Sequence, residues 1–198
     1  MKTLNRTRLK NFFLLGICML FFTGAFAQVK YTNKNTANLI ISGTSTLHDW
    51  DMKSSQGNGE AIFSFNSAGA LTAVNGLSFH TQANALKSGH DAMDKNAYKA
   101  LKTDKNPSIS FIGSSATVSP ISGTDFLVKS NGKLTIAGAT LDAEVSATCK
   151  VNADKSISVM GSKKISMKDF SMTPPSFMLG TIKTGNDVTL KFDLNFSK

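Results

Sequence analysis

An all-β domain of antiparallel strands with one short helix, closed as a barrel or stacked as a sandwich, is the fold the sequence predicts. Three observations predict it. Apolar and polar residues alternate along most of the chain beyond residue 27, the period of a strand with one buried face. Turn-forming clusters break these runs at Gln56-Gly57-Asn58-Gly59, Ser67-Ala68-Gly69, Asn131-Gly132, Asn152-Ala153-Asp154 and Thr184-Gly185-Asn186. One stretch, residues 92–103, has helical periodicity instead. Many short strands at this spacing suit a barrel or a sandwich.

The first 27 residues follow a different rule. Lys2, Arg6, Arg8 and Lys10 precede an apolar run from Phe12 to Ala27 that ends in Ala25-Phe26-Ala27. A basic start, a short apolar centre and a small-x-small end make a secretory signal peptide. The run is shorter than the roughly 20 residues that span a bilayer. Ile17 before Cys18 also lacks the small residue of a lipoprotein signal. Cleavage is expected after Ala27, with export to the periplasm and residues 28–198 as one domain. The leader carries four basic residues and no acid, so the chain's net charge of +9 falls to a mild excess without it. No dense Lys/Arg block is interleaved with aromatics, which argues against nucleic acid as a partner. Cleavage removes Cys18 and leaves Cys149 alone. Cys149 alternates with Leu141, Val145, Ala147 and Val151. It is expected to be a small buried residue on an apolar strand face.

The strands follow in order. Ala61, Phe63 and Phe65 share one parity, as do Leu77, Phe79, Thr81 and Ala83, and then Ile109 and Phe111. Phe126 and Val128 lead towards Leu134 and Ile136. Leu141 to Val151 form the next run, and Ile157, Val159 and Ile165 share another parity. Val188, Leu190, Phe192, Leu194 and Phe196 end the chain. Ser88-Gly89-His90-Asp91 reads as a capping box that opens a helix from Ala92 to about Thr103. Met93, Ala97 and Leu101 share one helical face, and Asn106-Pro107 stops the helix. Lys95, Lys99 and Lys102 form a stripe, read as a solvated face, with docking to anionic headgroups as the functional option. The segment Met167–Gly180 combines Pro174-Pro175 with two Phe, three Met and one Leu. Such a loop must bury its apolar groups, as a cap on one end of the domain or as an adaptable portal.

No constellation points to catalysis or metal. His48, His80 and His90 lack a metal-ligand partner at close spacing. His48-Asp49 would place their side chains on opposite faces of a strand. His80 shares parity with Ser78 and Gln82 and is expected in solvent. No G-x-S-x-G elbow, Walker loop or dinucleotide fingerprint occurs. No cofactor, metal or catalytic residue is therefore expected.

Several segments together resemble a known family. They are Ser45-Thr46-Leu47-His48-Asp49-Trp50, Met93-Asp94-Lys95 with Tyr98-Lys99-Ala100-Leu101, and Asn106-Pro107-Ser108-Ile109-Ser110-Phe111. Gly132-Lys133-Leu134-Thr135-Ile136-Ala137-Gly138-Ala139-Thr140, the Phe170–Gly180 loop and the Val188–Phe196 strand follow. In this order they resemble the YceI-like family, the polyisoprenoid-binding or lipid-binding YceI-like domain. The likeness covers nearly all of the chain beyond the leader. It implies a lipocalin-like antiparallel β-barrel, export to the periplasm, and a long isoprenoid or similar lipid inside the barrel. It implies an apolar cavity and no catalytic residues. The Pro-x-Ile-x-Phe piece falls on Pro107, Ile109 and Phe111, and the glycine-flanked strand on Leu134 and Ile136.

Candidate ligand-binding residues are Phe63, Phe65, Phe79, Phe111, Leu134, Ile136, Val145, Leu190 and Phe192. The expected function is a periplasmic lipid-binding protein that carries, stores or shields its ligand. Peripheral membrane contact and a homodimer are further options. The alternatives are a filled barrel that recruits an envelope protein, or an enzyme acting on a lipid with His48 as its acid–base group.

Overall fold

The computed structural model describes residues 28–34 and 37–198, so the expected leader lies outside the described residues. The strands are β1 Gln28–Lys34, β2 Asn38–Ser45, β3 Trp50–Ser54, β4 Asn58–Phe65 and β5 Leu71–Gln82. The helix α1, Asp91–Leu101, interrupts them. Then come β6 Ser108–Ser122, β7 Asp125–Ile136, β8 Ala139–Val151, β9 Ile157–Ser166, β10 Ser176–Phe177 and β11 Ile182–Phe196. The sheet order is β1-β4-β5-β6-β7-β8-β9-β11-β2-β3, with β10 paired to β11 off that path. Every pairing is antiparallel, so the expected all-β barrel with one short helix is what forms.

The sheet curls until its edges find backbone partners. Thr32 of β1 and Ser197 exchange both backbone hydrogen bonds, at 2.8 and 3.0 Å. Lys53 of β3 and Lys87 do the same, at 2.7 and 2.8 Å. Each bridge ties one residue of an edge strand, β1 at Thr32 and β3 at Lys53.

Two expected turns are not turns. Asn131-Gly132 lies inside β7, where Gly132 pairs with Gly113 and Ala143. Ser114 is an extra residue in β6 at this point, a β-bulge. A Cβ at Gly132 would collide with the Ile112 carbonyl oxygen and lie 2.8 Å from Phe111 Cζ. Glycine is there for close approach and not for a reversal. Thr184-Gly185-Asn186 lies inside β11, at a bulge against β2. There Asn186 holds the next loop: its carbonyl and Oδ1 accept the Met167 and Lys168 N–H groups at 2.9 and 3.0 Å. The real reversal after β7 is Ala137-Gly138, both with positive φ (51° and 85°), as a two-residue hairpin requires.

The helix starts one residue earlier than expected, and its expected capping box is replaced. Ser88 N–H and Oγ–H donate to Asp94 Oδ1 at 2.8 and 2.7 Å, and Asp91 takes no part in this pair. Burial pushes the Asp94 pKa up, but the Ser88 bonds and Lys87, 3.7 Å away, outweigh that and hold it below the usual range. Tyr98 Oη lies 2.9 and 2.8 Å from the carbonyls of Asn84 and Leu86 and tethers the helix to the chain that leaves β5. Lys102, left-handed at the helix end, donates from Nζ to the Ser171 carbonyl at 2.9 Å. That bond ties α1 to the methionine-rich loop.

Two apolar clusters fill the two ends. The first centres on Tyr31, Phe63, Phe126, Ile157 and Phe196. Phe63 packs edge-on against Tyr31 at 5.2 Å and against Phe196 at 5.8 Å, the geometry favoured by ring quadrupoles. The second joins Phe111, Leu134, Ile136 and Ile165 to Met167, Phe170 and Met172 of the loop. The expected burial of that loop is met by these three residues, while Met178 and Leu179 stand in solvent.

Candidate functional site

A cavity of about 580 Å³ lies between the two clusters, inside the curl of the sheet. That is within the range of small-molecule sites, roughly 300–1,000 Å³. Inward positions of β2 to β9 and β11 make its wall, because alternate residues of each strand share a face. From β6 come Ile109 and Phe111, from β7 Val128, Leu134 and Ile136, and from β8 Val145, Ala147 and Cys149. From β11 come Val188, Leu190, Phe192, Leu194 and Phe196. Met93, Ala97 and Leu101 of α1 cover one side, the helical face the sequence predicts.

Eight of the nine candidate residues line this cavity: Phe63, Phe79, Phe111, Leu134, Ile136, Val145, Leu190 and Phe192. Phe65 does not. It tilts against Tyr31 with ring centroids 6.3 Å apart, in the cluster beneath. Phe63 already forms the floor, and two residues along a strand is roughly 7 Å further on. Gly161 explains the position of Phe192. A Cβ there would collide with the Phe192 ring and sit 2.5 Å from the Ser146 carbonyl oxygen.

The parity reading missed other wall residues. Trp50 and Met52 of β3 and Leu39 and Ile41 of β2 belong to short or mixed strands where alternation is weak. The Trp50 indole donates to the Thr44 carbonyl at 3.0 Å, so its orientation is set by the backbone of β2. Met167, Met172, Pro175, Phe177 and Met178 bring the methionine-rich loop into the wall. Exposed lining residues mark the rim: Leu47 is 66% and Met178 74% exposed, with His48 and His90 beside them.

The polar groups of the wall are few. Among the described residues no carboxylate lines the cavity, and Lys163 is its one lysine. His48 is exposed, with Nδ1 2.6 Å from its neighbour's carbonyl, Asp49 O. The Asp49 carboxylate does not orient it. His80 faces solvent, as its parity predicts. Among the described residues no group of three His, Cys, Asp or Glu could hold a metal. No helix among them is long and apolar enough to cross a membrane.

Cys149 is 2% exposed and lines the cavity. Burial pushes its thiol pKa up to about 12. An unfolded cysteine titrates near pH 8.5. The folded protein therefore holds this proton more tightly, and the stability this contributes is intact below about pH 8.5 and lost as pH rises towards 12. Between pH 8.5 and 10.5 the loss from this group is expected to approach about 2 kcal/mol. Urea unfolding at the two pH values checks it: a Cys149→Ala variant should fall less steeply than wild type. Equal slopes would show that the thiol is not desolvated.

The comparisons with known proteins follow the same lines. No curated protein matches the chain. Among solved structures, a polyisoprenoid-binding domain from Saccharophagus degradans, described as implicated in plant cell wall breakdown, superposes with a TM-score of 0.62 at 14% identity. It covers 86% of this chain and 99% of that one. BcnA of Burkholderia cenocepacia gives 0.58 at 16% identity, over 79% and 95% of the two chains. The YceI protein of Campylobacter jejuni gives 0.51 at 19%, over 70% and 80%. These likenesses concern the fold. A family model, the YceI-like domain, matches residues 21–196, and the chain therefore belongs to the YceI-like domain family.

Proposed function

We propose that this protein is exported to the periplasm and binds a long-chain lipid, of isoprenoid or similar kind, inside its barrel. The apolar cavity of about 580 Å³ carries this reading. Each buried methylene contributes about 0.8 kcal/mol, so about ten of them give roughly 8 kcal/mol before ordering costs, near micromolar affinity. Chain binding needs an apolar lumen and an opening, and the rim at Leu47 and Met178 offers one. Membership of the YceI-like family and the likeness to a polyisoprenoid-binding domain support the same ligand class. The basic leader with its Ala25-Phe26-Ala27 end supports export. No catalytic step is assigned, since His48 lacks a carboxylate to orient it.

Native mass spectrometry of the protein, purified from its own envelope without detergent, tests the proposal. The expected result is a discrete added mass that extracts as a prenyl or acyl lipid. A bare protein whose Trp50 fluorescence also ignores added isoprenoids would refute it.

A further inference from the structure

Lys163 stands on the inward face of its strand. Ile157, Val159 and Ile165 share its parity on β9; Ile157 and Ile165 are buried, and Val159, Lys163 and Ile165 line the cavity. Its surroundings are a break in the barrel wall. β8 and β9 pair only from Ser146 opposite Ser162 to Val151 opposite Ile157. Beyond that, Ala139–Val145 keeps its ladder to β7, and Lys163–Ser166 keeps its ladder to β11, but the two stretches do not pair with each other. Met167, Phe170 and Met172 belong to the buried cluster that includes Ile165 of β9 and against which Ala143 and Val145 of β8 pack. Lys163 Nζ crosses it and donates to the Glu144 carbonyl at 2.9 Å.

A lysine ammonium has three donors, and one carbonyl uses one of them. None of the ion pairs among the described residues includes Lys163, and no carboxylate lines the cavity. Lys163 as a residue is half-buried and lines the cavity, its ammonium bond to Glu144 lies exposed at the seam, and no carboxylate of the lining faces it. An ammonium with donors to spare is met best by a counter-charge with hydrogen-bonding geometry.

We propose that Lys163 sets ligand specificity: it selects an amphiphile with an anionic oxygen head, carboxylate or phosphate, whose apolar chain fills the cavity. This rests on lumen binding of a lipid chain. Lys163 holds the head at the β8–β9 seam, and the remaining wall takes the chain without regard to its detail.

Four ligands test the idea in matched pairs: dodecanoate with dodecanol, and farnesyl phosphate with farnesol. Each is titrated at low ionic strength into delipidated wild type, Lys163→Met and Lys163→Arg. Trp50, the single tryptophan, lines the cavity and reports binding. Thermal melts establish that each variant folds. Wild type is expected to favour the charged member of at least one pair by about ten- to a hundredfold, the worth of a hydrogen bond to a charged group. Lys163→Met should erase that preference while still binding the alcohols, and Lys163→Arg should keep it. A preference within the carboxylate pair alone names a fatty acid, and within the phosphate pair alone a prenyl phosphate. Equal affinity within both wild-type pairs, or a preference that survives in Lys163→Met, would overturn the assignment. If neither the alcohols nor the acids bind wild type, lumen binding itself fails.

Discussion

Phe63→Ala is expected to lower stability by about 3–5 kcal/mol, the range for truncating a buried aromatic. Phe63 is 2% exposed and sits where three parts of the fold meet. It pairs with Val74 across β4 and β5, opposes Val29 of β1, and packs edge-on against Tyr31 and Phe196. Phe196 ends β11, so these rings help join β1 to the far side of the sheet, next to the Thr32–Ser197 bonds. Removing the ring also deepens a cavity that already exists, and its neighbours cannot collapse onto the new space without leaving their strands. A loss of this size is a large share of the roughly 5–15 kcal/mol that holds a domain together. Urea unfolding measures it. A loss below about 1 kcal/mol would mean that the floor of the barrel is not what closes it.

The strand assignments were legible because alternation is local. Phe111, Leu134, Leu190 and Phe192 each announce their face through neighbours two residues away, and all four line the cavity. The features that were not legible have causes distant in sequence. Gly132 looks like a turn residue, yet Phe111 and the Ile112 carbonyl demand it. Asn186 looks like a turn residue, yet it holds Met167 and Lys168. Phe65 has the parity of Phe63 but falls below the floor, and parity carries no information about depth along the barrel. Lys163 is hidden in the sequence because a charged residue breaks an apolar pattern, although Ile157, Val159 and Ile165 share its parity. The cavity could not be read at all. Alternation says which side chains turn inward, and whether they meet across the interior depends on the curvature of the whole sheet. The family resemblance supplied what periodicity could not.

Filling the cavity separates the binding role of these residues from their structural one. Val145→Phe is expected to weaken binding of a saturated or prenyl chain by about a hundredfold while leaving the fold intact. Val145 is half-buried, lines the cavity and opposes Ser130 on β7. It lies on the part of β8 that has no β9 partner, so the strand can adjust there without breaking a ladder on that side. Overpacking a tight core costs about 1–3 kcal/mol, but here the added ring points into open space, and a cost below about 1.5 kcal/mol is expected. The same ring displaces ligand. At about 0.8 kcal/mol for each methylene, excluding four of them costs about 3 kcal/mol, which is about a hundredfold in affinity. Phenylalanine leaves Trp50 as the single tryptophan, so its fluorescence can follow the titration. Urea unfolding of the same variant shows whether the fold has been spared. Unchanged affinity in a folded Val145→Phe protein would place the ligand somewhere other than the lumen, and the outer face of the sheet would then be the surface to examine for a protein partner.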